Sequence, residues 1–293
     1  MSVSGVLTSH TTQDNIQRLA EEGTQSILLV GKKGTGTDII AKQLAELMLG
    51  LSSQDELNKY PYFYHLAVED GKKDIPIAEI RRVVAATALK IPSTRVGIKR
   101  VVLIQNAENM SLEAQNALLS DLEEPSPSTC YILTQDSGKR LLPTVISRCQ
   151  KVVIQNPKRS EILQHYTPGY EDNDVLSAWA LAGGAPQLVD ELLRNTEHPL
   201  KLAATMAKEF IAANTYHRLL IASKLAENKQ NIQYFLDALD RIVDHLLKSA
   251  VVSGDKKMVH SIGSMGQTVG ETRRMLEVST NTKLCLLWLT TNY

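Results

Sequence analysis

Gly31-Lys32-Lys33-Gly34-Thr35-Gly36-Thr37-Asp38 follows a short apolar run at residues 26–30 and opens a helical pattern at residues 39–49. A chain that passes from strand to helix through three glycines is committed to a tight βα turn. A phosphate-binding loop uses this geometry: glycines let backbone N–H groups converge on an anion, a Lys reaches the β/γ-phosphates, and a Ser or Thr holds Mg²⁺. Here Thr37 stands where the Lys belongs and Asp38 where the hydroxyl belongs. Losing a cation and gaining a carboxylate both turn the local potential against a triphosphate. The glycines alone suit a ligand-free turn equally well.

Strand and helix patterns alternate around this loop. Residues 11–14 resemble a helix start, Ile16, Leu19 and Ala20 share a face, and Gly23 is placed to end that helix. Residues 51–61 are polar and turn-rich, residues 62–68 alternate as a strand, and residues 77–89 have helical spacing. Residues 100–104 form a short apolar run suited to a strand buried on both faces, and Pro125 halts the helix predicted at 112–122. Further strands are predicted at 130–133 and 152–154. The expected fold is therefore α/β: a doubly wound, mostly parallel five-stranded sheet.

Beyond Pro157 the strand signals stop. Helical patterns at 160–165, 174–182 and 186–195 predict a small helical domain, and the spacing of Ile232, Phe235, Leu236, Leu239, Ile242, Val243, Leu246 and Leu247 predicts one long amphipathic helix. Gly254, Gly263, Gly266 and Gly270 are read as punctuating shorter helices up to Trp288. Three domains are expected: a core at 1–157, a helical lid at 158–198, and a helical C-terminal domain at 199–293.

Thirty-two basic residues balance 32 acidic ones, so contact with nucleic acid would need a local patch. Arg81, Arg82, Lys99 and Arg100 could form one, or could be solvated faces. Three widely spaced cysteines build neither a disulfide framework nor a four-cysteine zinc site. No secretory pattern or membrane-spanning run is seen, and a cytoplasmic protein with no membrane partner is expected.

Residues 100–108 stand where the strand of an ATPase core ends in two acids, one for Mg²⁺ and one for the attacking water. Gln105 and Asn106 are neutral amides that cannot act as general base, and Glu108 does not replace the pair. The run Ala114-Gln115-Asn116-Ala117-Leu118-Leu119, the turn Leu122-Glu123-Glu124-Pro125, and Leu141-Leu142-Pro143-Thr144-Val145-Ile146-Ser147-Arg148-Cys149-Gln150 resemble the AAA+ clamp-loader family. Within it they are similar to the bacterial gamma/tau and delta-prime subunits of DNA polymerase III.

The resemblance implies an AAA+ core, a three-helix lid, and a collar that joins five subunits in a ring. It also implies that Arg148, between Ser147 and Cys149, is an arginine finger directed at a neighbour's ATP. A guanidinium suits that task, being always charged with a fixed fork of donors, and a finger supplied in trans is worth about 10³–10⁵ in rate. A surface or capping arginine is the plainer alternative. Cys149 is read as a buried small residue rather than a reactive thiol.

Motors of the family keep the loop Lys and the acid pair. This chain has Thr37, Gln105 and Asn106, with Gln135 and Gln187 at the two nucleotide-sensing places, and no cysteine at 51–64 where many relatives insert a zinc module. The expectation is a delta-prime-like stator of the DNA polymerase III holoenzyme without ATPase activity of its own. Gly31, Gly34, Gly36 and Thr37 remain as a degenerate loop that could accept ATP or ADP weakly through its backbone. No cofactor is required and no zinc is expected. The implied partners are gamma/tau and delta subunits, the sliding clamp indirectly, and primer–template DNA through the assembled complex. A divergent gamma/tau-like motor and a non-catalytic interaction protein with a vestigial finger are the alternatives.

Overall fold

The apolar runs of the first half become the strands of one sheet. The computed structural model describes residues 7–32, 34–69, 72, 74–91, 97–138, 141–226, 228–278 and 281–293, so Lys33 of the loop lies outside the described residues. Two compact units are present: one comprises Met1–Tyr166 with Gly184–Leu188, the other Thr167–Gly183 with Val189–Tyr293.

In the first unit the chain runs through α1 (His10–Glu22), β1 (Ser26–Gly31), α2 (Thr37–Leu49), α3 (Gln54–Lys59), β2 (Phe63–Leu66), α4 (Ile77–Thr87), β3 (Arg100–Ile104), α5 (Leu112–Glu123), β4 (Thr129–Asp136), α6 (Pro143–Ile146), β5 (Gln150–Val153) and α7 (Arg159–Tyr166). The strands pair in the order β2-β3-β4-β1-β5, and every pairing is parallel. Alternation along each strand sends side chains to opposite faces. Ile27, Leu29, Val101, Leu103 and Ile132 pack with Leu19, Leu44 and Leu57 of α1–α3. On the other face Leu28, Val30, Val102, Ile104 and Leu133 pack with Val83, Leu118 and Val145 of α4–α6. The result is the three-layer, doubly wound α/β core expected from the sequence.

Local details differ from the expectation. Helix α1 begins earlier, because Ser9 rather than a residue in 11–14 caps it by accepting from the Thr12 N–H. Gly23 closes it in the left-handed conformation, as expected. The turn-rich stretch after α2 contains α3, whose cap is Ser53 and whose Leu57 is fully buried. One buried leucine is too sparse a signal for periodicity to register in six residues.

The remaining helices are α8 (Asp172–Leu181), α9 (Pro186–Arg194), α10 (Pro199–Ala212), α11 (Thr215–Leu225), α12 (Lys229–Ser253), α13 (Lys256–Val278) and α14 (Thr282–Asn292). In the second unit α12 packs on α10 and α13, while α14 packs on α11 and α13. Phe210 stacks edge-on against Phe235 and Tyr293, and the Arg218 guanidinium lies 5.4 and 5.1 Å from the Phe210 and Tyr293 ring centres. The long helix is present and buries Ile232, Phe235, Leu236, Leu239 and Val243.

The glycine punctuation is corrected. Gly254 does separate two helices, at φ 72°, but Gly263, Gly266 and Gly270 lie inside the continuous α13. Glycine costs a helix only about 1 kcal/mol relative to Ala, which packing can offset. At Gly266 a Cβ would come within 3.3 Å of Val243 Cγ1, so the missing side chain lets α13 approach α12. No helix among the described residues is long and apolar enough to cross a membrane.

Candidate functional site

The carboxyl ends of β1, β3 and β4 meet at a crevice, where ligands of open α/β sheets bind. A cavity of about 410 Å³ lies there, lined by Gly31, Lys32, Gly34, Gly36, Thr37, Asp38, Asn106, Glu108, Asn109, Thr134, Gln135, Asp136 and Gln187. The loop's conformation depends on its glycines. Gly34 and Gly36 have φ of 86° and 76°, in the left-handed region. At Gly31 a Cβ would sit 2.1 Å from Thr37 Oγ1 and 2.5 Å from Thr35 Oγ1, so those hydroxyls fill the space over the turn. They hydrogen-bond to each other at 2.8 Å, and Thr35 Oγ1 also donates to the Lys32 carbonyl at 2.8 Å.

Asp38 lies in the first turn of α2, whose N-cap, Gly36, offers no side-chain acceptor. A carboxylate is favoured at that end of the helix dipole, where a phosphate would otherwise gain the same field. Its two oxygens are already engaged: Gln105 Nε2 donates to Oδ2 at 2.7 Å and Thr134 Oγ1 to Oδ1 at 3.1 Å. Gln105 Oε1 accepts from His65 Nε2 at 2.9 Å, and Thr134 Oγ1 accepts from the Asn106 N–H at 2.9 Å. Asn106 holds φ 51°, a left-handed conformation that Asn tolerates better than most residues. Asp38 and Gln105, at the positions read as hydroxyl and acid in an ATPase core, are thus complementary: an amide donor meets a carboxylate acceptor directly.

Among the described residues the lining carries one ammonium, Lys32, against the three carboxylates Asp38, Glu108 and Asp136. Among these described residues the balance of charge is unfavourable to a polyanion. Gln135 and Gln187 both reach the cavity, while Glu108 Oε1 accepts weakly from the Asp136 N–H at 3.4 Å. Among the described residues no cluster of His, Cys, Asp or Glu is arranged to hold a metal ion.

Arg148 and its neighbours lie outside that cavity. Pro143 starts the single turn α6, and Arg148 follows two residues after its end. Arg148 Nη1 donates to the Thr144 carbonyl at 3.0 Å and Nη2 to Glu123 Oε1 at 2.9 Å. Ser147 Oγ donates to the same Thr144 carbonyl at 3.1 Å, and Cys149 packs against the core behind α5 and α6. Burial pushes the Cys149 thiol up to about 12, so it stays protonated and unreactive at neutral pH. Glu123 is the last residue of α5, Glu124 is its C-cap, and Pro125 follows.

Arg100 is corrected as a candidate for DNA contact. It is 1% exposed, and its guanidinium donates to the Thr87 and Leu89 carbonyls at 2.5 and 2.8 Å, satisfying the end of α4. Arg82 is exposed but paired with Glu79 at 2.8 Å. The sequence reading also missed Thr134 and His65, which complete the Asp38 network. Thr134 is the first polar residue after the apolar run Tyr131–Leu133, a position at the strand's mouth that could have flagged it.

A parallel β5-β1-β4-β3-β2 sheet with a glycine loop after β1 and helical segments beyond β5 is an AAA+ core fold. A crystal structure of a DNA polymerase III, gamma subunit-related protein from Thermotoga maritima shares that fold, with a TM-score of 0.58 over 96% of this chain and 97% of that one at 18% identity. The chain belongs to the family described as DNA polymerase III, delta subunit, whose profile matches residues 9–158. It is similar to the DNA polymerase III subunit delta' of Haemophilus influenzae, 27% identical over 186 residues covering 59% of this chain and 56% of that protein. It is also similar to the delta' subunit of Pseudomonas aeruginosa, 32% identical over 136 residues covering 45% and 40%. The chain spans about half the length of these curated relatives.

Proposed function

We propose that this chain is a delta-prime-like stator of a DNA polymerase III clamp loader, assembling with gamma/tau and delta subunits and lending Arg148 to a neighbour's ATP site. The observation that carries the reading is the contrast within one unit. Thr37, Asp38, Gln105 and Asn106 have replaced the groups that bind and hydrolyse Mg·ATP, and they are tied to one another or to Thr35 and Thr134. Ser147-Arg148-Cys149 stands intact at the end of α6.

On this reading no nucleotide, metal or zinc is required by the chain itself. The core, lid and collar divide near residues 157 and 198, the collar holds the ring together, and the finger stabilises charge on the neighbour's γ-phosphate as the sliding clamp is set on primer–template DNA. DNA is met through the assembled complex, in the cytoplasm.

The test is co-purification of the purified chain with gamma/tau and delta subunits. A stable stoichiometric complex is expected. Failure to assemble would contradict the reading and leave an interaction protein with a vestigial finger. ATP turnover by the chain alone, lost on substitution at Asp38, would instead indicate a motor.

A further inference from the structure

Arg148 is not extended. Nη1 turns back to the Thr144 carbonyl four residues earlier, and Nη2 pairs with Glu123 across from α5. Each terminal nitrogen thus makes one hydrogen bond to the chain's own groups, while Nε is buried with no partner. The Arg148 side chain is 28% exposed and that of Glu123 is 59% exposed, so the contact sits at the surface and can be reached by a competing anion.

Pro125 stops α5, which leaves Glu123 in the helix's last turn. A carboxylate is disfavoured there, because the macrodipole already presents partial negative charge. The Arg148 guanidinium relieves that local excess, which explains why the pair forms. An exposed pair of this kind shifts an equilibrium by no more than about five-fold. A phosphate carries more charge and offers the same fork geometry to a guanidinium, in stronger charge-assisted hydrogen bonds.

We propose that Glu123 is a placeholder for phosphate: it neutralises Arg148 and holds it folded back until a neighbour's nucleotide phosphate displaces the carboxylate. The proposal rests on the stator reading above and adds a second residue to it. Glu123 is a positioning residue that acts only through Arg148. It weakens engagement of the finger with ATP and leaves the rate of the fully engaged site unchanged.

The first arm of the test uses the isolated chain. The rate at which phenylglyoxal modifies Arg148, read by peptide mass spectrometry, should rise about two- to five-fold in Glu123→Gln, which keeps the side chain's shape and removes its charge. An unchanged rate would overturn the proposal. The second arm uses the assembly reconstituted with gamma/tau and delta. Glu123→Gln should lower the half-saturating ATP concentration by a similar factor at the same maximal rate, and Glu123→Gln with Arg148→Ala should match Arg148→Ala alone. A lower maximal rate in Glu123→Gln, or an effect that persists without Arg148, would overturn it. If Arg148→Ala itself changes nothing in the assembly, the stator reading falls, and the modification rate alone then judges whether Glu123 holds the arginine back.

Discussion

The Gly31 loop and the Arg148 corner belong to the same α/β unit, yet their polar groups are used in opposite ways. Around the loop, polar side chains are paired with one another: Thr35 with Thr37, Asp38 with Gln105 and Thr134, Gln105 with His65. At the corner a permanently charged group is held by one exposed carboxylate and one backbone carbonyl. On the proposed reading, the difference shows how a nucleotide fold can give up its own chemistry and still pair the charge it leaves behind. Charge left behind at an abandoned site must be paired internally, whereas a group reserved for an outside ligand must be held by contacts that the ligand can replace.

The largest effect that would break this comparison is at Gly31. Gly31→Ala should cost about 1–3 kcal/mol in urea unfolding, because the new methyl overlaps two threonine hydroxyls. Thr37→Ala should recover part of that loss. No loss would mean that the hydroxyls do not fill the loop as described.

A second change sharpens it from the other side. Thr37→Lys combined with Asp38→Thr should raise affinity for Mg·ATP by about ten-fold or more in calorimetry, since a cation and a hydroxyl replace a hydroxyl and a carboxylate. Turnover should remain absent, because Gln105 and Asn106 are still neutral. An unchanged affinity would place the obstacle in the loop backbone instead of its side chains.

Next in size is the coupling of Asp38 with Gln105. A double-mutant cycle of Asp38→Ala and Gln105→Ala should give about 1 kcal/mol, the worth of a charge-assisted bond that is partly buried. Additive losses would deny that the two substitutions compensate each other. The smallest effect belongs to the corner: Arg148→Ala should change unfolding free energy by no more than about 0.5 kcal/mol, as surface pairs do. A loss several times larger would make Arg148 a structural residue and remove the contrast.

Much of this was legible in the residues. The loop substitutions, the amides after β3 and the Ser-Arg-Cys segment are local signals, and the strands are short apolar runs with one outcome in a parallel sheet. What escaped was set by tertiary geometry. Arg100 read as one of a basic group, but the end of α4 captures its guanidinium. Gly263, Gly266 and Gly270 read as breaks, but α13 runs through all three, with Gly266 set close against Val243 of α12. The roles of Thr134 and His65 depend on which strands are neighbours in the sheet. The pairing of Arg148 with Glu123 joins residues 25 apart in sequence, a relation that no spacing rule exposes.

The central claim is that the chain's chemistry acts on a nucleotide it does not hold. ATP turnover of the assembly reconstituted with gamma/tau and delta subunits, measured with Arg148 and with Arg148→Ala, addresses it directly. The account predicts that turnover at the site this finger serves falls by about 10³ or more while the isolated chain turns over no ATP in either form. Undiminished turnover in the assembly, or turnover by the chain alone, would contradict it.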